Sequence, residues 1–329
     1  MKKKVTINQV AEKAGVSKTT ISRFLNGRYG NMSKETKEKI AAVIEELNYR
    51  PNRQAQSLKS KRSYLIGVVV ADISNMYSSL LLKGIGEVLE KRGYQMIIMD
   101  AANSIEQERD LLEKLLDQSV EAIILQPSSR DPQHYAFLKE RNIPLLLVDR
   151  QTDPAEWPAV ITDNVSAIEK IMEAVIQQDY QKIVVVSEPL REVTTREIRY
   201  HTVADIAGKA GMNVELMETT MDEAFAKRVL AEINSPKKTM LFASNGRVLM
   251  AVLTLLIEEK IDIPADVGVT GFDDWNLTAL VGPGITSIEQ QSQAIGQTAA
   301  AKILELLKAE KYLAEEIVVP TKLQWRHSI

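Results

Sequence analysis

The stretch VSKTTISRFLNG, residues 16–27, sets hydroxyls, an amide and two cations around three bulky apolar side chains. Wound as a helix capped by Ser17, it puts Ile21, Phe24 and Leu25 on one face, at about 100° per residue. Thr19, Ser22, Arg23 and Asn26 fall opposite, with Lys18 at the leading edge. No acidic residue interrupts that polar face. Such donors and acceptors match the base edges and phosphates of a DNA major groove. They also suit an ordinary solvated surface helix.

A second polar set sits further on, where apolar runs end: Asp72-Ile73-Ser74-Asn75, Gln126, Asp149-Arg150, Ser244-Asn245 and Asp273-Asp274-Trp275. Carboxylates, amides and a guanidinium around an aromatic ring suit a small hydroxyl-rich ligand. The same residues can cap helices, and Asp163-Asn164 and Ser244-Asn245 have the right types for it. Asp273 and Asp274 form a carboxylate pair on paper, but neighbours at a strand end rarely both face one substrate.

The elements that position these residues are legible around them. Upstream of residue 16, Thr6 can cap a short helix in which Ile7, Val10, Ala11 and Ala14 share a face, and Gly15 supplies a tight turn. Helix, glycine turn, helix is the helix-turn-helix layout, whose second helix is the reader. A third helix follows, capped by Ser33, with Ile40, Val43, Ile44 and Leu47 as its apolar stripe. Pro51 ends it. Asn52 can cap a further short helix bearing Ala55 and Leu58. This is either a charged linker or a hinge whose Leu58 wedges into a minor groove. From Tyr64 onward, strand-like runs at 65–71, 94–100, 121–127, 143–149, 182–188, 238–244 and 266–272 alternate with amphipathic stretches. Continuous apolar strands separated by helices predict parallel sheets buried on both faces, here two doubly wound lobes with ligands beyond the carboxyl ends of the strands. The expected domains are an all-α helix-turn-helix head at 1–50, a hinge or linker at 51–63, and a two-lobed domain at 64–329.

Composition narrows the function classes. The chain has 329 residues, no cysteine and three histidines distant from one another, so thiolate chemistry is excluded and a histidine metal site is not expected. Residues 1–63 carry 15 basic and 5 acidic side chains against 26 and 39 in the remainder, so the net −3 is a head of +10 on a body of −13. That asymmetry fits a nucleic-acid-binding module joined to something else. The opening MKKK is not followed by the apolar run of a signal peptide, and no stretch has the ~20 apolar residues of a membrane span, so a cytoplasmic protein is expected. Dinucleotide, Walker, nucleophile-elbow and zinc-protease motifs are missing, so neither an enzyme nor a cofactor is expected. The rival readings are a solute-binding or sensor protein without a DNA role, and a sugar-processing enzyme.

Over essentially its whole length the chain resembles LacI/GalR-family transcription regulators. The likeness lies in TINQVAEKAGVSKTTISRFLNG, SKETKEKIAAVIEELNYRPN, the hinge QAQSL, LIGVVVADISN, VDR at 148–150, DN at 163–164, IPADVGVTGFDD and ITSIEQQ. It implies a repressor that binds a pseudo-palindromic operator as a homodimer, with a periplasmic-binding-protein-like core holding an effector between its lobes. The DNA contacts it implies fall among Thr6, Ser17, Lys18, Thr19, Thr20, Ser22, Arg23, Asn26, Asn52, Ala55 and Leu58. The effector contacts fall among Asn75, Met76, Tyr77, Gln126, Asp149, Arg150, Arg199, Asn245, Asp273 and Gln290. Three departures stand out: Thr202-Val203 replaces a Gly-aromatic pair, Asn245-Gly246 replaces Asn-Asp, and the loop 28–32 is slightly long. FDDWNLTALVGPGITSI (272–288) is similar to regulators of 2-keto-3-deoxygluconate and related sugar-acid genes. Arg150, Arg199 and Arg247 would suit a carboxylate there, or be surface salt bridges.

Overall fold

The computed structural model describes residues 5–30, 32–50, 62–309 and 313–329; Asn52, Ala55 and Leu58 lie outside them. The chain divides into two compact units between Ser63 and Tyr64.

The head is three helices, α1 (Ile7–Ala14), α2 (Lys18–Leu25) and α3 (Lys34–Glu46). Each begins where a hydroxyl satisfies an orphan backbone N–H: Thr6 accepts from Gln9, Ser17 from Thr20 and Ser33 from Thr36. Gln9 returns a bond to Thr6, closing a capping box. Gly15 takes φ 67°, the left-handed turn that lets α2 follow α1 within three residues. Val10, Ala11, Ala14, Ile21, Ile40 and Val43 form the head's core.

The second unit begins β1 (Leu65–Val70), α4 (Met76–Lys91), β2 (Gln95–Asp100), α5 (Ile105–Asp117), β3 (Ala122–Leu125), α6 (Ala136–Glu140), β4 (Leu145–Val148) and β5 (Ala159–Thr162). It continues α7 (Asn164–Gln177), β6 (Lys182–Ser187), α8 (Thr194–Lys209), β7 (Asn213–Glu218), α9 (Ala224–Ile233), β8 (Thr239–Ala243), α10 (Gly246–Glu258), β9 (Gly268–Phe272) and β10 (Ser287–Glu289). It closes with α11 (Ser292–Leu306), β11 (Glu316–Val319) and β12 (Lys322–Gln324).

Two sheets result, ordered β11-β5-β4-β3-β1-β2 and β12-β10-β9-β8-β6-β7. All pairings are parallel except β10 with β12, which is antiparallel at the second sheet's edge. The two doubly wound lobes expected from the apolar runs are therefore present. Their central strands are fully buried: Val68, Val69, Ile123, Ile124, Leu146 and Leu147 in the first lobe, Val184, Val185, Leu241 and Phe242 in the second. Strands β5, β7, β10, β11 and β12 were not expected. They are short or carry polar residues at alternate positions.

The chain passes between lobes after β5, after β10 and between β11 and β12. Helix α11 returns to the first lobe and packs on α4 with almost no side chain between them. A Cβ on Gly84 would meet Gln293 O at 2.0 Å, and one on Gly296 would meet Leu81 O at 2.2 Å. Glycine at both points permits the backbones to touch.

Candidate functional site

In the head, α2 turns Ile21 into the core and leaves Lys18, Thr19, Arg23 and Asn26 exposed, with Thr20 and Ser22 half-buried. Not all of these are free to read DNA. Thr6 is spent on its capping box. Ser17 and Thr20 share a hydroxyl bond at 2.9 Å, and Asn26 Nδ2 donates to Ser22 O at 2.8 Å. Lys18, Thr19 and Arg23 make no side-chain hydrogen bond among the described residues. After α2 the long loop is anchored by Tyr29, whose ring meets Phe24 edge-on at 5.9 Å and takes Lys37 Nζ over its face at 4.2 Å.

In the second unit, polar residues at the carboxyl ends of both sheets enclose one cleft. The first lobe contributes Asp72, Asn75, Tyr77, Ser78, Asn103, Gln126, Asp149 and Arg150, and the second Glu188, Thr195, Arg196, Arg199, Asn245, Arg247, Asp273 and Gln290. Nine of the ten residues expected to touch an effector line it. The tenth, Met76, lies outside the lining and is 42% exposed. Tyr77 and Ser78 take the cleft-facing arc of α4, and at about 100° per residue Met76 falls on the other side.

The two lobes present matching devices. Asp149 ends β4 at φ 64° and Asp273 ends β9 at φ 71°. Both are non-glycine residues in the left-handed region, a strain tolerated where it aims a functional side chain. Gln126 Nε2 donates to Asp149 Oδ2 at 2.7 Å while its Oε1 accepts from Ala71 N. Gln290 Nε2 donates to Asp273 Oδ1 at 2.6 Å, and Gly246 N donates to Oδ2 at 2.9 Å. Burial raises the Asp273 pKa above its ordinary value, against the pull of Arg199 and these donors.

Arg199 lies on α8, fully enclosed and stacked 3.7 Å over the Phe272 ring. It donates to Asn164 Oδ1 at 2.8 Å, Ser244 O at 2.6 Å and Gln290 Oε1 at 3.1 Å, all neutral acceptors. Burial lowers its pKa, opposed by Asp273 and Asp149. Arg199 thus reaches the cleft although Thr202-Val203 follows it on the same helix.

Caps and cleft contacts prove compatible. Asn75 caps α4, and Asn245 accepts from Val248 N while donating to Glu188 at 3.0 Å. The unusual Gly246 has a local cause: a Cβ there would sit 2.2 Å from the Trp275 ring and 2.7 Å from Asp273 Cβ. Trp275 occupies the space a side chain at 246 would need.

Sequence reasoning gave no cleft role to Asn103, Thr195, Arg196 or Glu188. Asn103 and Glu188 follow strands β2 and β6, so strand ends were the available signal. Arg196 sits one helical turn before Arg199. The lobes are tied across the cleft by Arg247 to Asp72, by Arg130 to both oxygens of Glu197 at 2.8 Å, and by Thr194 to the backbone of Gln151. No cluster able to hold a metal ion occurs among the described residues.

A three-helix reader-type head and a two-lobed α/β unit with a polar cleft at its strand ends define a ligand-responsive DNA-binding protein. Residues 6–52 match bacterial regulatory proteins of the lacI family, and residues 172–329 match the periplasmic binding protein-like domain. The chain is 35% identical to the HTH-type transcriptional regulator KdgR of Bacillus subtilis, over all of both chains. It is 34% identical to the HTH-type transcriptional regulator PtxS of Pseudomonas putida, over 96% of this chain and 93% of that one. The lac repressor dimer bound to operator shares the fold, with a TM-score of 0.87 over 99% of both chains at 24% identity. The chain belongs to the lacI family: it is a DNA-binding transcriptional regulator and not an enzyme.

Proposed function

We propose that the cleft takes a sugar acid of the 2-keto-3-deoxygluconate type, and that its occupancy sets the affinity of a homodimeric repressor for a pseudo-palindromic operator. The observation that carries this reading is Arg150. Its guanidinium is buried, and its two terminal nitrogens reach only neutral acceptors, Pro127 O and Asn103 Oδ1, each at 3.2 Å. Its Nε has no acceptor, and the Asp149 carboxylate stands 3.9 Å away. A buried cation held this way calls for an anion. Tyr77 OH, also in the cleft, is a second buried donor without an acceptor. Asp149 and Asp273 supply the complement, carboxylates with lone pairs left for ligand hydroxyls. The result is an acceptor-seeking end and a donor-seeking region, the polarity of a hydroxylated acid. The full-length likeness to KdgR and the character of residues 272–288 support the same class.

In the head we assign base contacts to Lys18, Thr19 and Arg23, flanked by Ser22 and Asn26. Thr6, Ser17 and Thr20 hold the helix ends that present them. Asn52, Ala55 and Leu58 are the proposed hinge contacts. No described helix is long and apolar enough to cross a membrane, and we propose that the protein works in the cytoplasm.

The cavity is about 50 Å³, room for a few waters, so the cleft must open to admit a six-carbon acid. The effector can act only through different affinities for the operator-competent and incompetent arrangements. The test is thermal unfolding of the chain with 2-keto-3-deoxygluconate and with neutral sugars; at ~100 times its dissociation constant a ligand adds about 2.7 kcal/mol. A rise in Tm with the sugar acid alone supports the assignment, and a rise with neutral sugars alone refutes it.

A further inference from the structure

We infer that Glu188 restricts the cleft to monoanionic sugar acids, because it fills from within the chain a second carboxylate position that the cleft provides. This rests on the reading of the cleft as a sugar-acid site. Glu188 leaves the end of β6 and draws three donors. Its Oε2 accepts from Arg196 at 2.6 Å and Asn245 at 3.0 Å, and its Oε1 accepts from Arg247 at 3.4 Å. Two guanidiniums and an amide converging on one carboxylate are the equipment that recognises a ligand carboxylate. Here the second lobe satisfies them itself.

The first lobe does not. Arg150 has no carboxylate within hydrogen-bond distance: Asp149 stands 3.9 Å from its Nε, which has no acceptor. The cleft therefore holds two anion positions of opposite status, one open at Arg150 and one closed by Glu188. A sugar acid that sets its carboxylate against Arg150 extends toward Glu188 with hydroxyls, which donate to that carboxylate. A dicarboxylate extends with a second negative charge, which meets a fixed carboxylate and cations already neutralised. Like charges brought together in a partly buried site repel strongly. Arg247 adds to the closure, since its other arm pairs with Asp72 of the opposite lobe and is not free to turn to a ligand.

The inference separates six-carbon acids that end in a primary hydroxyl from those that end in a second carboxylate. Calorimetric titration of the full chain with 2-keto-3-deoxygluconate and with galactarate reads it directly. The wild-type chain should bind the monoanion at least ~10-fold more tightly than the dicarboxylate. Glu188→Gln keeps the shape of the side chain and releases Arg196 from its carboxylate, and should tighten galactarate binding ~10-fold or more while weakening the monoanion, whose hydroxyls lose a charged acceptor. Adding Arg196→Gln to Glu188→Gln should remove most of that gain. Equal wild-type affinities overturn the inference without reliance on any variant. So does an unchanged preference in Glu188→Gln, or a gain that survives the loss of Arg196. If the wild-type chain binds neither acid, the sugar-acid reading falls and this inference falls with it.

Discussion

Asp273 and Asp274 are neighbours in sequence and serve opposite ends of the second lobe. Asp273 turns into the cleft beneath Gln290 and Arg199, and burial pushes its pKa up. Asp274 turns away, into a structural hub. There it pairs with Arg326 and accepts from Ser287 and Thr278 at 2.6 Å and from Asn276 N at 2.8 Å. Burial works against its ionisation, but these donors outweigh it and hold its pKa at about 2. The pair is no catalytic dyad: one member faces the cleft and the other fastens the C-terminal segment.

The signs of these shifts separate the two variants. Asp274 has a folded pKa below its ordinary value, so its contribution is present above about pH 4 and disappears as pH falls toward 2. Asp273 has a raised pKa, so it favours the fold in acid and costs stability once the pH passes its ordinary value. Urea unfolding at pH 7 should show Asp274→Asn losing about 3 kcal/mol, the cost of stranding Arg326. Asp273→Asn should lose less than ~1 kcal/mol, because it removes a charge that burial already penalises. The Asp274→Asn deficit should shrink as the pH is lowered toward 2.

Arg150→Gln tests the anion position without dismantling the fold. The neutral side chain no longer leaves a buried cation short of an acceptor, so Tm in the absence of ligand should hold or rise. Sugar-acid affinity should fall by ~10- to 100-fold, the worth of a charge-assisted bond at a buried site. Calorimetry with the acid reads the second effect, and an unchanged affinity would remove Arg150 from the site.

Gly246→Ala tests the contact between α10 and the loop after β9. The new methyl would overlap the Trp275 ring and crowd Asp273. Overpacking of this kind costs ~1–3 kcal/mol, and here it would also displace a carboxylate of the cleft. Both lower stability and weaker effector binding are expected, read by urea unfolding and by titration. Gly246→Ala combined with Trp275→Ala should recover part of the stability.

In the head, Arg23→Ala should cost ~1–3 kcal/mol on operator DNA and relax preference at one base pair, with little change on random DNA. Mobility shifts on both DNAs distinguish this from a phosphate contact, which would weaken the two alike.

The sequence was most legible where local chemistry and tertiary context agree. The caps Thr6, Ser17 and Ser33 mark helix starts because hydroxyls there satisfy backbone N–H groups whatever surrounds them. The central strands announce themselves because burial on both faces demands unbroken apolar runs such as LIGVVV and AIIL. The edge strands β7 and β11 escape that demand: β7 reads NVELME, half of it polar, and β11 reads EIVV with alternate residues exposed. The return of α11 to the first lobe depends on glycines 84 and 296 meeting backbone from a distant segment, which no local pattern reveals. In the cleft, Asp149 and Asp273 were readable from strand ends, whereas Glu188 closes against Arg196, Asn245 and Arg247, a convergence that only the folded chain assembles.

If the cleft controls the head, the sugar acid and the operator must bias one shared equilibrium. The most direct measurement is titration of 2-keto-3-deoxygluconate into the protein alone and into its complex with operator DNA at one salt concentration. Linkage requires the acid's affinity to change by the same factor by which the acid changes operator affinity. The account predicts two dissociation constants differing by ~10-fold or more, within the usual range of allosteric coupling. Equal constants would contradict it.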